Sequence, residues 1–200
     1  RCAGCRDFAT SGELTVLPDD ESRLAVRDAL AASVLANNRV AGRKIAVAES
    51  CTGGMVSAAL TDIVGSSDVF SAGFITYSGN AKQSQLDVSS EILETFGEVS
   101  LATAWAMATG ALANSDADIA VAITGIAGPG GGSEKKPVGL VIFARALRGQ
   151  SSDDYFTQRV QFEGGDRAAV RHHATLFALD LLQPERDEIR STEDLTLPAQ

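Results

Sequence analysis

Short apolar runs rich in β-branched residues alternate along the chain with longer segments whose apolar positions recur at helical spacing. The short runs predict buried strands, and the longer segments predict amphipathic helices. Strands are predicted at 45–48, 69–77, 119–124, 138–144 and 155–162, and helices at 19–38, 55–64, 81–88, 89–97, 100–114 and 166–182. This alternation predicts an α/β fold, and the apolar run at 119–124 predicts a central strand.

The apolar face of each segment predicts which side chains form the core. The last helix carries Val170, Ala174, Phe177 and Leu181 at a spacing that places all four on one face. The first helix, the second strand and the short fourth helix supply further predicted core residues: Leu24, Leu30, Val34, Leu35, Phe70, Phe74, Ile75, Ile92, Leu93 and Phe96.

Polar or glycine-rich turns follow three of the predicted strands, at 50–54, 78–80 and 125–133. If these strands are parallel neighbours, their turns meet at one edge of the sheet, where open α/β sheets bind ligands. Each turn brings groups that can react or bind. They are Ser50 and Cys51 in the first, Tyr77 and Lys82 around the second, and Thr124 with the loop amides in the third.

Ser50 and Lys82 suit nucleophilic catalysis. A serine hydroxyl becomes a nucleophile when a base accepts its proton, and a neutral lysine amine is one such base. Two other interpretations stay open at this stage. Ser50 or Thr52 caps the following helix, which is the commoner role of such residues at a helix start, or Lys82 is a solvated surface lysine.

Arg167 and the glycine-rich loop both indicate an anionic ligand. A cation in the first turn of a helix opposes the helix dipole, so Arg167 makes sense if it shares a phosphate with the helix amides. The alternative is a tolerated surface arginine. The loop at 125–133 has no P-loop or dinucleotide-binding spacing, but its five glycines allow close backbone approach to an anion or oxyanion.

The length, net charge and cysteine content predict the number of domains, the classes of partner and the cellular compartment. A chain of 200 residues with 44% hydrophobic residues is typical of one soluble domain, which we expect at 19–183 between a loose arm at 1–18 and a polar tail at 184–200. The net charge of −9 argues against nucleic acid and anionic membranes as partners. No apolar run is long enough to span a bilayer, and three cysteines fit a reducing cytoplasm.

Two short motifs carry no predicted function. Cys2-x-x-Cys5 lacks further zinc ligands nearby, because the two histidines, His172 and His173, belong to a distant helical pattern. Ser133-x-x-Lys136 matches a β-lactamase motif, but the proline that follows it at 137 excludes the helix this motif needs. We expect neither a metal nor another cofactor.

Five motifs together resemble the CinA C-terminal domain family, and the similarity covers roughly residues 22–183. The motifs are Ala48-Glu-Ser-Cys-Thr-Gly-Gly54, Thr76-Tyr-Ser78 with Lys82, Val99-Ser100, Thr124-Gly-Ile-Ala-Gly-Pro129 and Gly165-Asp-Arg167. The resemblance implies a three-layer α/β/α sandwich around a largely parallel or mixed sheet. It also implies an amidohydrolase of the PncC type, which converts nicotinamide mononucleotide (NMN) to nicotinic acid mononucleotide and ammonia in pyridine-nucleotide salvage.

The resemblance implies a role for each matching residue. Ser50 would be the nucleophile, Lys82 its general base, and Tyr77 a helper that orients or relays the proton, without a metal. The implied substrate-binding residues are Thr52, Gly53, Gly54, Ser100, Thr124, Gly125, Gly128 and Arg167. The family often has serine at position 124, and threonine keeps the hydroxyl. Because the family's molybdopterin-binding-like domain has no counterpart in this sequence, we expect a stand-alone deamidase, and we expect a homo-oligomer.

Three other function classes stay open. A short-chain reductase would need Tyr-x-x-x-Lys, but Lys82 stands one residue too far from Tyr77. A cysteine hydrolase would use Cys51 with His172 or His173 as its base. A non-catalytic nucleotide-binding module, or a regulatory paralogue of the same family, would need only the loops and Arg167. Release of ammonia from NMN separates this last class from the enzyme.

Overall fold

The computed structural model describes residues 20–150, 156–162 and 166–186. The predicted arm at 1–18, with its Cys-x-x-Cys motif, and the tail beyond residue 186 lie outside these ranges. The described residues form six α-helices and five β-strands. In chain order they are α1 (Asp20–Val40), β1 (Ile45–Glu49), α2 (Met55–Thr61), β2 (Phe70–Ile75), α3 (Gly79–Leu86), α4 (Ser90–Phe96), α5 (Leu101–Ala113), β3 (Ile119–Gly125), β4 (Leu140–Leu147), β5 (Phe156–Gln161) and α6 (Arg167–Leu181).

The strands form one mixed sheet in the order β2-β1-β3-β4-β5. Strand β1 is parallel to both β2 and β3, whereas β4 runs antiparallel to β3 and β5. All of β1 is buried, and so is β3 up to its last residue. Strands covered on both faces are apolar without alternation, which explains the continuous apolar runs in the sequence. The predicted α/β fold with a mixed sheet and a central β3 is confirmed.

Helices cover both faces of this sheet. Large apolar side chains of β1, β3 and β4, such as Val47, Val121 and Phe143, share one core with α1, α2 and α6. Alanines on the opposite face, such as Ala122 and Ala144, share a second core with α3 and α5. These two cores give the three layers of an α/β/α sandwich.

Helix α5 lies very close to the end of α3. A Cβ atom added at Gly110 of α5 would clash with the carbonyl oxygen of Leu86, the last residue of α3. A side chain at position 110 would therefore push the two helices apart. Since α3 carries Lys82, this contact helps to fix the helix that positions the lysine.

Three predicted core residues are instead about half-exposed: Leu24, Ile75 and Phe96. Leu24 lies near the start of α1, whereas that helix meets the core farther on, through Val34 and Leu35. Ile75 ends an edge strand in which every second residue is exposed, and Phe96 is the last residue of the short helix α4. These assignments were wrong because periodicity identifies an apolar face but not whether another element covers it.

His173 on α6 is held in its neutral form. Its Nε2 atom is buried without a hydrogen-bond partner among the described residues, and its ring stacks on Phe162 with the ring centroids 6.0 Å apart. Burial, with smaller contributions from His172 and Arg23, lowers the pKa of His173 from 6.5 to about 4. Between these two values the unfolded chain binds more protons at this histidine than the folded chain does.

We therefore expect the free energy of unfolding to decrease as the pH falls from 6.5 towards 4, with the His173 contribution fully present at neutral pH. Urea titrations from neutral pH down to about pH 5 measure this dependence. His173→Gln, which does not titrate, should show a shallower dependence than the wild type. An equally steep dependence in this variant would show that another group is responsible.

Candidate active site

The carboxyl ends of β1, β2 and β3 meet at one edge of the sheet, because these three strands are parallel neighbours. The segments after them begin at Ser50, Thr76 and Ile126. The N–H of Ser50 donates to the carbonyl oxygen of Ile123 in β3, and the N–H of Thr76 donates to that of Glu49 in β1. The predicted convergence of the three turns is confirmed.

Ser50 and Lys82 are in direct contact at this edge. The Lys82 Nζ atom lies 3.2 Å from the Ser50 Oγ atom, and it also lies 3.0 Å from the Thr76 carbonyl oxygen and 3.0 Å from Glu98 Oε2. The Lys82 side chain is fully buried, and Ser50 is 8% exposed. Lys82 is therefore not a solvated surface lysine. The Ser78 hydroxyl caps α3 by accepting from the Ala81 N–H, which fixes the start of the helix that carries the lysine.

The turn after Ser50 is capped by Glu49 and not by a hydroxyl. The fully buried Glu49 carboxylate accepts from the N–H groups of Gly54, Val56 and Ser57 and from the Ser57 hydroxyl, at 2.8 to 3.2 Å. The Ncap residue of α2 is Gly54, which makes no side-chain cap bond. The interpretation of Ser50 or Thr52 as a helix cap is therefore wrong, since a carboxylate already satisfies these amides.

The two glycines of this turn have a conformational role. Gly53 and Gly54 have φ values of 60° and 95°, in the region that favours glycine. A Cβ atom at Gly54 would also lie 2.9 Å from Ile75 Cδ1. These glycines let the chain turn sharply from β1 into α2. Their predicted contact with substrate stays a prediction.

Cys51 lies next to Ser50 but is buried, and burial raises the pKa of its thiol to about 12. A thiol in this state is protonated at neutral pH and is a poor nucleophile. Its carbonyl oxygen accepts from Arg171 Nε at 3.1 Å, and that of Thr52 accepts from Arg171 Nη2 at 2.7 Å. Arg171 of α6 therefore anchors the turn, and the cysteine hydrolase alternative loses its nucleophile.

Arg167 contacts Tyr77 and the glycine-rich loop, and it lines a cleft beside them. Arg167 donates to the Tyr77 hydroxyl at 2.9 Å and to the Gly128 carbonyl oxygen at 2.8 Å. The cleft has a volume of about 590 Å³. Its lining residues are Ala127, Pro129, Val138, Asp166, Arg167, Ala168 and Arg171. The cleft therefore joins the glycine-rich loop to the start of α6.

The start of α6 is already capped. The Asp166 side chain accepts from the Ala169 N–H at 2.8 Å. A carboxylate at this position repels an incoming phosphate and occupies one of the free amides. The sequence predicts two donors for an anion here, the Arg167 guanidinium and the amides at the start of α6. Because Asp166 already caps the helix, the guanidinium is the stronger of the two.

Ser100 and Thr124 support the segment between α4 and α5. The Ser100 hydroxyl caps α5 by accepting from the Thr103 N–H at 3.1 Å, and it donates to the Gly97 carbonyl oxygen. The Thr124 hydroxyl donates to the Glu98 carbonyl oxygen at 2.8 Å. Gly125 packs tightly against β4, since an added Cβ would lie 2.7 Å from the Leu140 carbonyl oxygen. Substrate binding by these three residues stays a prediction.

Two buried hydroxyls beside Ser50 and Lys82 have no partner in the described ranges: Thr52 Oγ1 and Thr76 Oγ1.

Sequence reasoning missed Glu98, Arg171 and the capping role of Glu49. No periodicity or motif marks Glu98 as a partner of Lys82, because the two are 16 residues apart and meet only through the fold.

In the described part of the chain, no three His, Cys, Asp or Glu side chains come together as a metal site. Among its helices, none is both long enough and apolar enough to cross a membrane.

Comparison with known proteins identifies the family. The family model of the CinA C-terminal domain matches residues 27–185. The nicotinamide-nucleotide amidohydrolase PncC of Escherichia coli K12 is 51% identical over 142 residues, which are 70% of this chain and 83% of that protein. A CinA-like protein of Mycolicibacterium gilvum is 45% identical over 176 residues, which are 88% of this chain but 41% of that protein.

Solved structures have the same fold. The competence/damage inducible protein CihA from Agrobacterium tumefaciens has a TM-score of 0.75 at 41% identity, over 84% of this chain and 97% of its own. A CinA superfamily protein from Escherichia coli has a TM-score of 0.69 at 35% identity, over 90% of this chain and 99% of its own. The chain spans 33% of a competence-damage inducible relative from Caldicellulosiruptor bescii. It belongs to the CinA C-terminal domain family.

Proposed function

We propose that this chain is an amidohydrolase that converts NMN to nicotinic acid mononucleotide and ammonia through an acyl-enzyme on Ser50. The observation that carries the proposal is the buried contact of 3.2 Å between Ser50 Oγ and Lys82 Nζ. The similarity to PncC, which covers 83% of that relative, supports the substrate. We place the enzyme in the cytoplasm and keep the prediction of a homo-oligomer.

The partners of Lys82 suit a general base. The two N–H groups of a neutral amine can donate to the Thr76 carbonyl oxygen and to Glu98, which leaves the lone pair for the Ser50 hydroxyl. When Ser50 Oγ attacks the carboxamide carbon, its proton moves to Lys82. The resulting ammonium already lies within hydrogen-bond distance of the Thr76 carbonyl oxygen, Glu98 Oε2 and Ser50 Oγ, so little rearrangement is needed.

The same lysine serves the second half of the reaction. The ammonium gives its proton to the amide nitrogen, the C–N bond breaks, and ammonia leaves an ester on Ser50. Water then gives a proton to Lys82 and attacks the ester carbon. The proton returns to Ser50 Oγ as the C–O bond breaks and nicotinic acid mononucleotide leaves. Tyr77, whose hydroxyl accepts from Arg167, orients the substrate or relays a proton.

The turn after Ser50 supplies donors for the tetrahedral oxyanion. The N–H of Gly53 donates to the Ser50 carbonyl oxygen, and that of Gly54 donates to Glu49. The amides of Cys51 and Thr52 precede these two in the same turn, and we assign the oxyanion to them. This is the usual place for an oxyanion hole, directly after the nucleophile.

The proposal is tested by measuring ammonia release from NMN by the purified full chain, with Ser50→Ala as the control. We expect stoichiometric ammonia and nicotinic acid mononucleotide from the wild type and neither product from the variant. NMN binding in calorimetry without ammonia release would support the non-catalytic nucleotide-binding module instead.

Arg167→Ala tests the recognition of the phosphate. Loss of a charge-assisted hydrogen bond costs about 1.5–3 kcal/mol, or roughly ten- to a hundredfold in affinity. We expect kcat/KM for NMN to fall by this factor while the low value for nicotinamide riboside, which has no phosphate, hardly changes. Arg39→Ala is the matched control, because the Arg39 side chain contacts Gly65 and Asp68. An unchanged ratio of the two kcat/KM values would mean that Arg167 does not bind the phosphate.

A further inference from the structure

Glu98 connects the buried Lys82 amine with solvent. Its Oε2 atom lies 3.0 Å from Lys82 Nζ, and its side chain is 49% exposed whereas that of Lys82 is 0% exposed. The only carboxylate that contacts the amine in the described residues therefore lies at the boundary between the site and water.

Three hydroxyl groups hold the segment that carries Glu98 in place. Thr124 donates to the Glu98 carbonyl oxygen at 2.8 Å. Thr103 donates to the Gly97 carbonyl oxygen at 2.7 Å, and Ser100 donates to the same oxygen at 3.1 Å. The carboxylate also fits closely over the start of α3, because a Cβ at Gly79 would lie 3.3 Å from Glu98 Oε1. The ion pair is therefore a built contact and not a chance pairing of two long side chains.

We propose that Glu98 is a positioning residue that sets the pH range in which Lys82 can accept the proton of Ser50. The inference rests on the proposed function. An opposite charge within hydrogen-bond distance favours the protonated form of an amine, and the Glu98 carboxylate lies 3.0 Å from Lys82 Nζ. The same carboxylate holds the amine against Thr76 and Ser50 and stabilises the ammonium that forms on attack. The charge of Glu98 and its positioning of the amine affect different parts of the pH profile. Removing the charge should move the acid limb, whereas loss of positioning should lower the plateau.

The other ionisable groups around Lys82 have different partners or no negative charge. Glu49 is bonded to the amides of α2, and the thiol of Cys51 is protonated because burial raises its pKa to about 12. Tyr77 contacts Arg167. Strand β2 and helix α5, which pack against α3, contain no charged residue, and Lys82 is the one charged residue of α3 itself. Among the described residues, Glu98 is thus the one carboxylate in contact with the amine.

Glu98→Gln is the decisive variant, because it removes the charge and keeps the shape. We expect the acid limb of kcat/KM for NMN to move to lower pH by about one unit, as expected for loss of a neighbouring opposite charge. The plateau at high pH should fall by less than about tenfold, because Thr76 and Ser50 still orient the amine. Glu94→Gln is the matched control, since Glu94 is an exposed carboxylate on α4 without a contact to the site.

A second readout does not depend on NMN. The rate at which phenylmethanesulfonyl fluoride modifies Ser50 also requires loss of the serine proton, as the O–S bond forms and fluoride leaves. Its pH profile should show the same shift in Glu98→Gln, measured by intact mass. If the wild type releases no ammonia but this shift is present, the proposed substrate is wrong and the role of Glu98 stands. If the two glutamine variants have acid limbs at the same pH in either assay, or Glu98→Gln lowers only the plateau, the inference is overturned.

Discussion

Ser50→Ala and Lys82→Ala should each reduce ammonia release from NMN by more than about 10⁴-fold while the protein stays folded. The hydroxyl and the amine act as one unit across a contact of 3.2 Å, so removing either one removes the attack. The double variant should therefore be little worse than either single variant. Single-turnover kinetics measure the loss of activity in each variant. The urea midpoint of unfolding checks that the variant stays folded.

Two further variants make the result specific. Lys82→Met keeps an unbranched side chain in the buried site and should be as inactive as Lys82→Ala, which excludes loss of packing as the cause. Cys51→Ala should keep most of the activity, since the Cys51 thiol is buried and protonated. An active Ser50→Ala together with an inactive Cys51→Ala would move the nucleophile to Cys51.

Glu49→Gln should lower the free energy of unfolding by about 2–4 kcal/mol, the largest stability effect we expect from an isosteric change near the site. The Glu49 carboxylate is fully buried and accepts four hydrogen bonds, two of them from Ser57. A glutamine places an NH₂ group against at least one of these N–H donors and leaves donors without acceptors. Urea unfolding at neutral pH measures the change.

Activity should fall in the same variant because Glu49 directly precedes Ser50 and its carboxylate fixes the turn. Activity is measured without urea, where the variant is folded. A lower kcat then shows that Ser50 is displaced and not that the protein has unfolded. Glu91→Gln, an exposed carboxylate in the first turn of α4, is the control and should change the unfolding free energy by less than about 0.5 kcal/mol. A similarly small change in Glu49→Gln would contradict the capping role.

The elements that position the site were predictable because they are strongly patterned. The apolar run of β1, with Gly53 and Gly54 a few residues after it, identified a strand followed by a sharp turn, and the run of β3 identified the central strand. Lys82 was harder, since residues 81–88 contain few apolar positions and most lysines are solvated. Its place beside Ser50 followed from the family motifs, which encode a contact between residues 32 positions apart.

Sequence patterns do not contain the contacts between distant segments, as three residues show: Glu49, Glu98 and Ile75. A hydroxyl at a helix start usually caps the helix, but here the carboxylate one residue before Ser50 points into the turn and takes that role. Glu98 meets Lys82 only because α4, α5 and the end of β3 come together in the fold. Ile75 is apolar yet exposed, because β2 is an edge strand. Each miss concerns contacts between distant segments, which local periodicity does not contain.

Peptide mapping of the enzyme after acid quenching during turnover of NMN tests directly whether an acyl-enzyme forms on Ser50. We expect the nicotinic acid mononucleotide acyl group on the peptide that contains Ser50, and we expect fragmentation to assign it to the Ser50 oxygen. The adduct should be absent from Ser50→Ala and from Lys82→Met treated in the same way. An adduct on Cys51, or continued ammonia release with no adduct on Ser50 at any quench time, would show that Ser50 is not the nucleophile.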